Sequence, residues 1–272
     1  MDLKDLLVHV DSGARTAERL RLSLALARRH GARLTGLFAE SPTLGASLVG
    51  RRSPENFARA AAEARARFEA ACGEAGVESR FWELGREEYA DVVGAVVVLC
   101  RRVDLAVFGQ QRGDPAPVPE GLAEAVIAGC GRPVLVVPSI GSYPDVGRRV
   151  LVAWTGSREA ARAVHDALPI LERAERVVVL ALQVPASGPS DGALPPVDLT
   201  DHLRAHGITA TYDRSLVGDL AAVDVVLNRA FDEGADLAVV GAYGLGGGGP
   251  ADRRGTTHAI LDTMTTPVLL SC

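Results

Sequence analysis

The 272-residue sequence predicts an α/β chain made of two tandem doubly wound, Rossmann-like domains, each a five-stranded parallel sheet flanked by helices. Two observations predict this: an internal repeat, and a strict alternation of apolar strand signals with amphipathic helix signals. The repeat comes first. Leu6-Leu-Val-His-Val-Asp-Ser-Gly13 resembles Val150-Leu-Val-Ala-Trp-Thr-Gly-Ser157. Asp104-Leu-Ala-Val-Phe-Gly109 resembles Asp236-Leu-Ala-Val-Val-Gly241, and Arg132-Pro-Val-Leu-Val-Val137 resembles Thr266-Pro-Val-Leu-Leu-Ser271. The order is the same in both halves, so one domain of roughly 135–140 residues occurs twice. The expected domains are 1–140 and 147–272, with a seam near 139–147, a stretch holding two glycines and a proline.

In the first copy, residues 6–10 form a short apolar run suited to a buried parallel strand. Ser12 is placed to cap the next helix, whose apolar positions include Leu20, Leu24 and Ala27, and His30-Gly31 ends it. Residues 34–38 read as a second strand. Pro54 opens a long Ala- and Arg-rich helix to about Ala75. Residues 79–84 are a third strand. Residues 87–102 read as a helix with acids first and arginines last, which suits its dipole. A strand at 104–109, a helix at 121–128 and a strand at 133–137 complete the copy. The second copy repeats the scheme, with strands at 149–154, 177–184, 209–216, 238–241 and 268–271. Its helices fall at 157–174, 198–206, 220–233 and 256–264. In such folds ligands bind at the carboxyl ends of strands, where the strand order reverses.

Composition narrows the chemistry. Net charge is −5, which argues against a nucleic-acid binder. Lys4 is the one lysine among 29 Lys and Arg residues, so neither a phosphate-loop lysine nor a Schiff-base lysine is available beyond the first strand. The N-terminus lacks the features of a signal peptide, and the longest apolar runs are about half a membrane span, so a cytoplasmic protein away from membranes is expected. Cys72, Cys100, Cys130 and Cys272 form no C-x-x-C pair or zinc spacing and read as small buried hydrophobes in a reducing cytosol.

One local motif stands out: Gly241-Ala-Tyr-Gly244-Leu-Gly246-Gly247-Gly248-Gly249-Pro250, ahead of a helix expected from Gly255-Thr256-Thr257. Glycines let backbone N–H groups approach a phosphate, a helix N-terminus attracts negative charge, and the threonines add hydroxyls. A Walker A loop is excluded, because no lysine follows. A dinucleotide loop fits Gly244-x-Gly246-x-x-Gly249 in letters, but belongs at the first βα turn. A mononucleotide loop at the fourth βα turn and a glycine loop that binds nothing both remain open.

Over nearly its whole length the sequence resembles the tandem universal stress proteins of the two-domain bacterial type. The resemblance is carried by Arg149-Val-Leu-Val-Ala-Trp-Thr-Gly-Ser157, Gly234-Ala-Asp-Leu-Ala-Val-Val-Gly-Ala-Tyr-Gly244 and Met264-Thr-Thr-Pro-Val-Leu-Leu-Ser271. In the first copy Asp5-Leu-Leu-Val-His-Val-Asp11 and Gly131-Arg-Pro-Val-Leu-Val-Val-Pro138 carry it. It implies a five-stranded parallel domain able to bind ATP or AMP, without metal and without robust catalysis. It places the nucleotide in the second copy, against Thr155, Gly156, Val184, Gly241, Gly244, Gly255, Thr256 and Thr257. The family motif is Gly, two residues, Gly, nine residues, Gly, then Ser or Thr, with an acid at the end of the first strand. Gly241 and Gly244 fit its first half. Gly255-Thr256 comes one residue late, or Arg254 stands where the glycine belongs, and Thr155 replaces the acid. The first copy departs the other way: Asp11 keeps the acid, but Gly109-Gln-Gln-Arg112 lacks the second glycine. Its prolines 115, 117 and 119 remove N–H donors, so no nucleotide is expected there.

Other candidates read more simply. His202 and His206 stand at metal-ligand spacing without a third ligand, His258 and Arg253-Arg254 lie near the proposed phosphate site, and Arg51-Arg52 reads as a solvated loop. His9 reads as a packed strand histidine and Trp154 as strand-end packing. No catalytic constellation emerges. The expected function is a stress-response protein that binds an adenine nucleotide. The alternative is a nucleotide-free, pseudo-dimeric scaffold, and a weak ATPase ranks last. The resemblance also implies that strands 133–137 and 267–271 pair within one chain, and it allows a homodimer.

Overall fold

A computed structural model describes residues 2–40, 53–84, 92–112, 118–183, 199–216, 222–243 and 250–272, apart from the side chains of 54 and 250–254. The chain divides into two compact units, Asp2–Asp145 and Val146–Cys272.

The first unit runs β1 (Asp5–Val10), α1 (Thr16–His30), β2 (Arg33–Phe38), α2 (Pro54–Ala75), β3 (Ser79–Glu83), α3 (Val92–Cys100), β4 (Leu105–Gly109), α4 (Leu122–Gly129) and β5 (Val134–Val137). Its strands pair in parallel in the order β3-β2-β1-β4-β5. The second unit runs β6 (Arg149–Trp154), α5 (Arg158–Leu171), β7 (Arg176–Gln183), α6 (Leu199–Ala205), β8 (Ala210–Leu216), α7 (Ala222–Asp232), β9 (Leu237–Gly241), α8 (Pro250–Thr263) and β10 (Val268–Ser271). Its order, β10-β9-β6-β7-β8, is parallel throughout. Each sheet is apolar along its central strands because helices cover both faces: β1, β4, β6 and β9 are almost wholly buried. In both units the chain leaves the first strand to one side and returns on the other, so the strand order reverses between β1 and β4 and between β6 and β9.

The repeated Asp-Leu-Ala-Val has a structural cause. Asp104 Oδ2 accepts the N–H groups of Lys4 (2.8 Å) and Asp5 (3.0 Å). Asp236 Oδ1 accepts those of Gly147 (2.7 Å) and Arg148 (3.1 Å). In each unit, therefore, the carboxylate ahead of the fourth strand pins the start of the first.

Helix punctuation follows the sequence closely at α2. Ser53 caps it by accepting the Asn56 N–H at 3.2 Å, Pro54 occupies the first turn, and left-handed Gly76 ends it. Two boundaries differ from expectation. Ser12 does not cap α1, which starts at Thr16 without a side-chain cap. Asp11 accepts the Gly13 N–H at 2.7 Å and the Thr16 hydroxyl at 2.6 Å, so the loop bends around that carboxylate instead. Helix α8 starts at Pro250, not near Gly255, because proline suits a first helical turn and one interior glycine does not stop a helix. Residues 85–91, where the helix ahead of β4 was expected to begin, lie outside the described residues. Three cysteines are buried as expected, but Cys272 is exposed. Among the described residues, no helix is long and apolar enough to cross a membrane.

Candidate functional site

In the second unit, the switch point brings the end of β6 beside the end of β9, with Ala153 paired to Val240. Gly241 ends β9. A Cβ there would sit 2.5 Å from the Ala160 nitrogen and 2.5 Å from the Glu159 carbonyl carbon, so only glycine lets the first turn of α5 lie this close. Ser157 caps that turn, accepting the Ala160 N–H at 3.1 Å. The hydroxyl of Thr155 donates to Ser157 Oγ at 3.0 Å, and exposed Gly156 takes a left-handed φ of 70°. Glu159 is buried behind this turn and paired with the exposed Arg158 at 2.6 Å. Burial alone would push its carboxyl up, but the Arg158 hydrogen bond and charge, its own backbone N–H and the Ser157 hydroxyl together hold Glu159 below the usual carboxylate value.

Beyond Gly241 the chain turns sharply. Tyr243 has φ 62°, unusual for a residue with a side chain, and its N–H donates to Thr257 Oγ1 at 2.9 Å. Residues carrying such strain cluster at functional loops. Thr257 is buried, and its hydroxyl oxygen holds this turn by accepting that N–H. Gly255 and Thr256 lie in the second turn of α8, where backbone N–H groups serve the helix; the helix N-terminus is at Pro250. Val184 and Gly244 lie outside the described residues. The structure thus joins Gly241 to the first turn of α5 and Tyr243 to Thr257, and sets Thr155 and Gly156 just ahead of that turn. Sequence reasoning missed Glu159 and Tyr243, since neither residue type signals its role.

The same place in the first unit is filled by its own side chains. Asp11, at the end of β1, pairs with Arg19, which also donates from Nε to the His9 carbonyl at 3.1 Å. A Cβ on Gly109 would lie 2.5 Å from Arg19 Nη1, so the glycine that ends β4 makes room for this guanidinium. Gln110 is buried, its Oε1 accepting the Ser139 N–H at 2.8 Å. Glu40, at the end of β2, accepts the Ser12 N–H at 2.6 Å. His9 stacks on Phe108 with ring centroids 5.4 Å apart, and its Nε2 donates to the Ala39 carbonyl at 2.8 Å. Burial lowers the His9 pKa and the imidazole is neutral. Burial pushes Asp11 up, but the Arg19 charge, the Thr16 hydroxyl and the Gly13 N–H together hold it below its ordinary value.

The remaining candidates have simple surroundings. His202 and His206 pack edge-on, with ring centroids 4.9 Å apart. Among the described residues, no group of three or more His, Cys, Asp or Glu is placed to hold a metal ion. His258 faces Asp262 at 3.3 Å on the open side of α8, and Trp154 is half-buried at the end of β6. The side chains of Arg253 and Arg254 and the whole of Arg51 and Arg52 lie outside the described structure.

The architecture defines a tandem α/β chain with one strand-end site per unit, at the reversal of each sheet. Comparison with solved structures names the fold. A universal stress protein from Archaeoglobus fulgidus DSM 4304 superposes with a TM-score of 0.71 at 15% identity, over 98% of this chain and 95% of that one. A functionally unknown protein from Pseudomonas aeruginosa PAO1 superposes with a TM-score of 0.61 at 13% identity, over 99% of this chain and 92% of that one. The chain therefore has the universal stress protein fold, in a two-domain arrangement. No family model matches the sequence, and no curated protein matches it.

Proposed function

We propose that this chain is a non-catalytic stress-response protein of the universal stress protein family, which binds one adenine mononucleotide, ATP or AMP, at the strand ends of its second unit. The observation that carries the reading is the contrast between the two sites. In the second unit Gly241 lets the first turn of α5 lie against the strand end and the chain turns at the left-handed Tyr243 ahead of the helix that starts at Pro250, while in the first unit Arg19 lies against Gly109. A phosphate here would rely mainly on backbone N–H groups and the N-terminal end of α8. Residence in the cytoplasm belongs to the same reading.

Titration calorimetry with AMP and ATP tests it. The expected result is one site per chain, lost in Gly244→Asp through steric and charge conflict. No heat of binding up to about 1 mM nucleotide would overturn it. The nucleotide-free scaffold reading draws on one observation: Thr155 hydrogen-bonds to Ser157 where the first unit presents the carboxylate of Asp11. Nucleotide released on denaturing the purified protein would count against that reading.

A further inference from the structure

A cleft of about 690 Å³ lies in the first unit, between the facing sides of α1 and α2, and reaches the β1–α1 loop at Val10, Ser12, Gly13 and Thr16. Its cause is visible in the sequence. The α1 stripe is Ala17, Leu20, Leu24 and Ala25; the α2 stripe is Ala64, Phe68, Ala71 and Ala75. Both follow helical spacing, so each forms one continuous face. Alanine occupies so many facing positions that the helices leave a trough rather than interlocking. The wall is apolar, with fully buried Phe68 and nearly buried Leu20 among its residues.

The charged side chains on this trough are unbalanced. Among the described residues, Arg21, Arg28 and Arg67 line it, against one acid, Glu74. Arg21 is occupied, bound to Glu18 and donating to Ser142 Oγ at 2.7 Å. Among the described residues, Arg67 commits only Nε, to the Glu63 carbonyl at 3.3 Å. Arg28 has no side-chain hydrogen bond or ion pair among the described residues. Two guanidinium groups with unused donors therefore flank an apolar trough whose volume falls in the range of small-ligand sites, about 300–1,000 Å³.

We propose that this α1–α2 cleft binds a small organic anion with an apolar body, an aliphatic or aryl carboxylate or sulfonate. The body lies along the alanine and leucine stripes, and the head lies between Arg28 and Arg67. This ligand class differs from a nucleotide, which has a polar body, and the cleft lies on the α1–α2 side of the first unit, away from the Arg19 and Gly109 contact.

The test is calorimetry of the full chain with decanoate, repeated with 1-decanol and with decanoate in the presence of AMP. Saturable one-to-one binding of decanoate is expected, about tenfold weaker for the uncharged alcohol and undiminished by AMP. The double variant Arg28→Glu/Arg67→Glu should weaken decanoate binding at least about tenfold. Ala71→Trp should abolish it by filling the trough, with circular dichroism confirming that both variants fold. No saturable binding up to about 1 mM, equal binding of decanol, or indifference to the charge reversals would overturn the proposal. A concentration-dependent dimer broken by the same variants would also overturn it, by showing that a second copy covers the cleft. Failure of AMP to bind leaves the decanoate result unaffected, so the two sites are tested independently.

Discussion

The two strand-end sites share a backbone plan and differ in what their first helix sends back to the sheet. In the first unit α1 returns Arg19, which neutralises Asp11 and lies against Gly109. In the second unit the residue in register with Arg19 is Ala163, and α5 instead brings its backbone up to Gly241. The same terminal glycine thus admits a guanidinium in one unit and a helix turn in the other. A duplicated fold can fill one of its strand-end positions with its own buried ion pair and cover the other with helix backbone.

The largest effect expected from breaking this contrast is at Arg19. Arg19→Met leaves the Asp11 carboxylate buried without its cation and should cost about 3–5 kcal/mol at neutral pH, measured by urea denaturation. Acidification should act on the same cluster. Asp11 has a lowered pKa in the fold, so its contribution is complete above its ordinary value of 3.8 and is lost as pH falls below it. His9 is held neutral, with its pKa lowered from 6.5, so stability should also fall as pH drops below 6.5 while the unfolded chain takes up the proton. His9→Phe should flatten this first step in a stability–pH profile while keeping the stack on Phe108; an unchanged profile would contradict it.

A smaller loss is expected at the glycines. Gly241→Val drives a side chain into backbone atoms of α5 and should cost about 3 kcal/mol, near the top of the overpacking range. Gly109→Ala meets a side chain instead and should cost less, because Arg19 can shift. Equal midpoints for the two variants in urea would contradict this ordering. The smallest contrast lies at the helix starts. Ser157→Ala should cost about 1 kcal/mol by removing the α5 cap, while Ser12→Ala should stay within about 0.5 kcal/mol because Ser12 caps nothing.

Much of this architecture was legible in the sequence, for local reasons. The repeated Asp-Leu-Ala-Val pins a strand in each unit, and Ser53-Pro54 and Gly76 bracket α2 by short-range chemistry. The start of α8 was not legible, because the glycine run ahead of Pro250 has no hydrophobic period. Ser12 has the residue type of a cap, but Asp11, one residue earlier, takes the Gly13 N–H and the Thr16 hydroxyl of the loop. The Arg19–Asp11 pair spans eight sequence positions and becomes a contact only when α1 packs back over the strand ends. The left-handed turn at Tyr243 carries no signal in its residue type, since tyrosine seldom adopts it.

The central claim, that the second unit and not the first takes the nucleotide, is tested most directly by photolabelling with 8-azido-AMP followed by peptide mapping. The account predicts saturable label confined to peptides of Val146–Cys272 and competed away by AMP. Label within Asp2–Asp145, or no label that AMP can displace, would contradict it.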